Sequence, residues 1–408
     1  MLKSIIRKEI LSNLLSYKFS IIIILSTILI LVSIFVMYRD YCLALENYRV
    51  LQPKSNEAIA IIPPTPLSIF AKGLDENLCR SYEIGFGGQI KVGSKQESVN
   101  NLFRLFTTPD LLYVVKVILA LCAMLFAFDV VSGEKEIGTL RQSLSNSVKR
   151  PILVIGKWIG GFISFIVPFF IAVLLSTILV TISPLVQMDG ENWAKLGLFL
   201  LSSVLYLAVF FSLGLLISCL THHSSSSLVI SLFLWAMLVF FIPNLGNILA
   251  RQFVRIPTVQ QLELKREQSW TKNRFEKRRV DRSEHKEMDS RMRAENDKLT
   301  EDYRNRFNRL VKVSQNITRI SPAAAFTFLA TDITGTGMSE ERKLRRAVLE
   351  YLKDGDDDEG DKPVFSYRRS SIREVLGPEG LSSCLILILF NILVFTGAYV
   401  VFLRYDVR

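Results

Sequence analysis

Six stretches of this chain are apolar over the length that a lipid bilayer demands, and they limit the available folds more than any other feature. A helix needs roughly 20 apolar residues to cross the hydrocarbon. Lipid offers bare backbone no hydrogen bonds, so such stretches must close their own as helices. They cover residues 19–37, 111–128, 159–182, 196–220, 228–249 and 381–403. Mean hydropathy is +0.32, and half of the residues are hydrophobic. Charged residues still make up 21%, and each is costly inside lipid, so they map the aqueous segments: the N-terminus, 39–110, 129–157 and 250–380. The net charge of +11 fits anionic headgroups and loop orientation; no nucleic-acid partner is expected.

Orientation follows from Lys and Arg in short segments beside the spans. Lys3, Arg7, Lys8 and Lys18 precede the first span; Lys135, Arg141, Lys149, Arg150 and Lys157 follow the second; only Lys195 follows the third. Both termini and the 129–157 loop are therefore expected on the cytoplasmic side of the inner membrane. The long segments 39–110 and 250–380 are expected outside. The first apolar run is too long for a cleavable signal and reads as a retained anchor. Cys42 and Cys79 share the first external segment, so a disulfide between them is open in an oxidising compartment.

Residues 1–18 read as an amphipathic elbow helix, with Leu2, Ile5, Ile6, Ile10 and Leu14 on one face and Lys3, Ser4, Arg7, Lys8 and Ser12 on the other. The 39–110 segment mixes short apolar runs with turn formers and reads as a small α+β cap. From Thr258 to Ile320 the chain has neither Gly nor Pro and is densely charged. That pattern predicts one long helix or a helical hairpin, started by Thr258 with Gln261 at the third position. Ser321-Pro322 opens a further helix ending at Gly335, another runs from Ser339 to about Lys353, and 354–361 is an acidic loop.

Catalytic groupings are scarce. Gly88 to Lys95 superficially resembles a phosphate-binding loop, but its lysine follows Ser94 instead of preceding it. This chain is expected to hold no cofactor and to be no enzyme. His222 and His223 read as turn residues, and His285 lacks a second ligand at helical spacing. Within the spans the only charges counted are Lys116 and Asp129, both near edges, which weighs against an ion-coupled carrier. Pro168 and Pro243 interrupt spans as hinges or as packing features.

The loop 129–157 carries more than a connection needs. Its Gly133-Glu-Lys-Glu136 and Gly138-Thr-Leu-Arg141 stretches predict a short surface helix whose Ile137, Leu140 and Leu144 pack toward the membrane. A soluble partner could grip its polar face, and an ordinary amphipathic loop would have the same spacing.

The run from Phe126 to Leu140, with Val148-Lys-Arg-Pro151 and Gly156-Lys157, resembles the ABC-2 type transporter permeases with large external insertions. Weaker matches are Pro64 to Gly73, Trp235 to Asn244 and Ser321 to Phe326. The resemblance implies a mainly α, six-helix bundle with an elbow helix and two external insertions. It implies a dimer of permease copies, identical or not, on separate ATPase subunits that bind ATP and magnesium. It also implies that 134–144 is the coupling helix, with Glu134, Lys135, Glu136, Gly138, Thr139, Leu140 and Arg141 at the ATPase groove. Export of a lipid, peptide or drug is then the default. The length and charge of 258–320 keep open a second role, in which external helices act on an outside partner and nothing crosses the bilayer.

Overall fold

The computed structural model describes residues 2–51, 61–75, 82–85, 89–92, 109–145, 149–277, 285–353 and 365–405. Among these, six helical spans are long and apolar enough to cross a membrane: Tyr17–Val50, Leu111–Ile137, Arg150–Thr181, Gly190–Leu220, Ser224–Phe253 and Pro378–Leu403. The mainly helical bundle expected from the apolar runs is therefore present, and the protein is a multi-pass membrane protein.

Helix α1 (Leu2–Leu14) is followed by α2 (Tyr17–Leu51), which runs well past its apolar stretch because no Gly or Pro intervenes. Ile21, Ile24, Ile28, Val32 and Phe35 form its exposed stripe, as lipid contact requires. A 3₁₀ turn at Pro66–Ile69 and an antiparallel hairpin of β1 (Tyr82–Gly85) and β2 (Gln89–Val92) follow. Cys79 lies outside the described residues, as does the acidic loop 354–361.

The second span begins with α3 (Leu111–Tyr113), widens into a π-helical stretch over Val114–Leu119, and continues as α4 (Ala120–Ala127). Asp110 caps its start by accepting from the Tyr113 amide at 2.7 Å. Two short helices come next, α5 (Ser132–Ile137) and α6 (Thr139–Ser145). Helix α7 (Arg150–Thr181) runs through a buried Pro168, and α8 is Gly190–Leu220. The fifth span is α9 (Ser224–Ala236), a π-helical stretch over Met237–Phe241, and α10 (Ile242–Phe253) with Pro243 in its first turn. A proline that cannot donate to the turn before it makes a widened turn an economical solution.

Two compact units divide the described chain, residues 240–321 and the remainder. In the smaller unit, α11 (Val259–Lys277) and α12 (His285–Thr318) pack on each other, and α12 also packs on α10. The Thr258 cap is formed as expected: the Gln261 amide donates to Thr258 Oγ1 at 3.2 Å, and the Thr258 amide donates to Gln261 Oε1 at 3.1 Å.

In the larger unit, α13 (Pro322–Thr334), expected among the external helices, packs within the span bundle against α8 and α16 (Pro378–Leu403). Ala323, Ala324 and Ala325 permit the close approach, and the Phe326 ring stacks on Tyr206 at 4.5 Å, near the midpoint of α8. Thr327, Thr331 and Thr334 donate their hydroxyls to carbonyls one turn back in α13, so the helix buries no bare hydroxyl there. Helices α14 (Met338–Lys353) and α15 (Ile372–Val375) complete this unit.

Candidate functional site

The 129–157 segment is two helices and not one. Gly138, at φ +84°, breaks α5 from α6, and nothing stands within 4 Å of where its side chain would be. A left-handed residue is cheap only for glycine, so the sequence sets this elbow locally.

Serines fasten the start of α5 to neighbouring spans. Ser218 Oγ accepts from the amides of Val131 and Ser132, both at 2.9 Å. Ser227 Oγ donates to the Phe128 carbonyl at 2.6 Å. Lys18 pairs with Asp129.

Three of the charges that follow, Lys135, Glu136 and Arg150, turn toward helix ends. Lys135 Nζ donates to the carbonyls of Cys219 and Thr221, at 2.5 and 3.0 Å, and lies over the Tyr405 ring. It thereby places a cation on the last turn of α8, where carbonyls lack partners. Glu136 accepts from the amide and hydroxyl of Ser224, at 3.1 and 2.9 Å, placing an anion on the first turn of α9. Arg150 Nη1 donates to the Leu403 carbonyl at the end of α16, at 2.9 Å.

Glu134 reaches further. Its Oε1 accepts from Lys157 Nζ at 2.7 Å, and Lys157 also donates to Glu9 of α1 at 3.1 Å. Lys157 is 2% exposed. The sequence groups it with the loop cations; the structure places it inside the third span's helix, so a buried charge does exist in the spans. Helix α1 comes this close because α7 presents glycines to it. A methyl at Gly156 would sit 2.7 Å from Ile5 Cγ2, and one at Gly160 would sit 3.1 Å from the Ile6 carbonyl. Small residues four apart let two helix backbones meet.

The seven residues singled out by sequence thus divide. Glu134, Lys135 and Glu136 bind the protein's own spans. Leu140 is buried beside Val131, Leu153, Val154 and Phe402. Ile137, at 79% exposed, forms an outward tip with Gly138, Thr139 and Arg141.

At the opposite end of α8 the 64–73 stretch and the residue after it meet the turn that follows α13. The Leu74 amide donates to the Thr336 carbonyl at 2.8 Å, and Thr336 Oγ1 donates to the Ala71 carbonyl at 3.0 Å. Glu340, 1% exposed, accepts from the Ser370 hydroxyl at 2.5 Å and from Tyr367 at 2.9 Å. Burial, and then the Glu340 carboxylate, push the Tyr367 phenol well above its ordinary value. Lys195 Nζ donates to the Ser370 carbonyl at 2.8 Å.

Between these ends lies what sequence reasoning missed. In the π-helical stretch of span two, the Lys116 carbonyl accepts from Tyr206 at 2.7 Å, and the Val117 carbonyl accepts from Trp235 Nε1 at 3.2 Å. A widened turn frees carbonyls that lipid cannot satisfy. Side chains from α8 and α9 do so instead. The irregular turns therefore fall at 114–119 and 237–241, while α7 stays helical through Pro168.

Six spans, an N-terminal helix packed on the third, and a jointed inter-span segment tied to most of the span ends define a transporter permease. The family profile of the ABC-2 family transporter proteins matches residues 4–407, and the chain belongs to that family. No individually curated protein shows significant similarity to it.

Proposed function

We propose that this chain is the permease subunit of an ATP-binding cassette exporter, driven by a separate ATPase subunit that docks at the α5–α6 elbow. ATP and magnesium are bound by that partner. A second permease copy completes the assembly, and both termini and the elbow face the cytoplasm of the inner membrane. The observation that carries this reading is the division of the elbow into an exposed tip led by Ile137 and the charges Lys135 and Glu136 seated on the ends of spans four and five. A partner that moves the tip moves those ends together, and shifting them exchanges two conformations of the bundle.

Replacing Ile137 with Asp tests the docking. The side chain contributes almost nothing to the core, so stability should change by no more than about 0.5 kcal/mol. Co-purification with the cognate ATPase should fall by roughly tenfold or more, as for loss of a central apolar anchor. Unchanged co-purification would remove the tip from the interface.

The second reading, in which outside helices transmit motion to an external partner, is favoured by one feature. The polar 34-residue α12 belongs to a compact unit of its own. ATP-dependent capture of an outside protein, without uptake of any solute into vesicles, would select it.

A further inference from the structure

Lys157 joins three separate pieces of chain: its own span, the Glu134 carboxylate of α5 and the Glu9 carboxylate of α1. A lysine this deeply buried requires compensation, and here it draws one carboxylate from each of two other helices, α5 and α1. The second Glu134 oxygen is buried with no hydrogen-bond partner, so Lys157 is what holds that carboxylate inside. The glycine face at Gly156 and Gly160 receives Ile5, Glu9 Cβ and the Ile6 backbone of α1, so α1 and α7 are in close contact where the ion trio forms. The other charges of α5, Lys135 and Glu136, go to spans four and five.

We infer that Lys157 is a positioning residue that makes α1 and α5 move as one body, so that α1 is a second lever on the third span. This rests on the proposed docking of the ATPase at the elbow. Displacing α5 with the ion trio intact carries α1 along and turns α7 through its glycine face. Displacing it with the trio broken moves only the ends of spans four and five. The elbow's thrust then reaches half of the bundle.

The test uses the complete transporter in lipid nanodiscs, with spin labels on one permease copy. Labels go on exposed Arg7 of α1, exposed Thr139 of the tip, and exposed Leu393 of α16 as reference. Adding ATP should change the Thr139–Leu393 and Arg7–Leu393 distances together and leave Arg7–Thr139 constant. In Lys157→Met, Arg7–Thr139 should broaden and become nucleotide-dependent. Permease-stimulated ATP turnover per folded complex should then fall roughly tenfold, the scale of a typical coupling energy. Glu9→Gln, on the edge of the trio, should do the same, and adding it to Lys157→Met should cause no further loss. If Thr139 moves with ATP while Arg7 stays, or if the two variants add, the lever is overturned and the docking stands. If neither label moves, the docking itself fails and the lever with it.

Discussion

At one end of α8, Lys195 sits in the helix's own first turns and is held by Glu191 and the Ser370 carbonyl. At the other end, Lys135 comes from a neighbouring helix and lies on the final carbonyls. A cation near a helix start opposes the dipole and needs a carboxylate; a cation on the last turn is favoured. The Lys195 end also contains a nearly inaccessible Glu340 bound by Ser370 and Tyr367, and Gly73 pressed against Thr336. The Lys135 end has its glycine in open space. The difference separates a fastened end, where disturbance is resisted by buried groups, from a jointed end, whose contacts are few per element and made at helix termini.

The sharpest way to break that contrast is to remove one carboxylate at each end. Glu340→Ala strips the buried Ser370 hydroxyl and the half-buried Tyr367 phenol of their acceptor and should cost about 3 kcal/mol. Glu136→Ala removes an exposed cap and should cost clearly less. Thermal unfolding in detergent reads both, and equal losses would erase the distinction. The glycines provide a second comparison. Gly73→Ala adds both left-handed strain and a Cβ 2.6 Å from the Thr336 carbonyl, together about 3 kcal/mol. Gly138→Ala adds strain alone, about 1 kcal/mol, and its unfolding should shift correspondingly less.

The smallest effect is electrostatic. The hydrogen bond and charge of Lys343 hold the Glu374 carboxyl below its ordinary value. Its folded form therefore contributes stability above the unfolded pKa, and loses that contribution as pH falls through the lower folded value. The pair is exposed, so the loss should be slight. Glu374→Gln should remove that small contribution near neutrality and leave stability unchanged once the parent carboxyl is protonated, so the acid side of the curve flattens. A variant as acid-sensitive as the parent would place the titration elsewhere.

What the residues alone determined was local. Apolar length set six spans, because backbone in lipid has no alternative to a helix. Thr258 with Gln261 set a helix start, and Gly138 set the break between α5 and α6. The packing determined the rest. Lys157 looked like one of several loop cations, and only folding brings it to Glu9, 148 positions away. Charges at 134–136 looked outward-facing, since polarity predicts solvent unless unsatisfied helix ends lie near enough to receive them. Residues 322–334 read as one more helix of an insertion, yet they are small and apolar enough for the bundle to close around them. Whether a charged or apolar side chain meets water, lipid or a distant partner depends on which helix ends and faces arrive beside it, and that is fixed by tertiary structure.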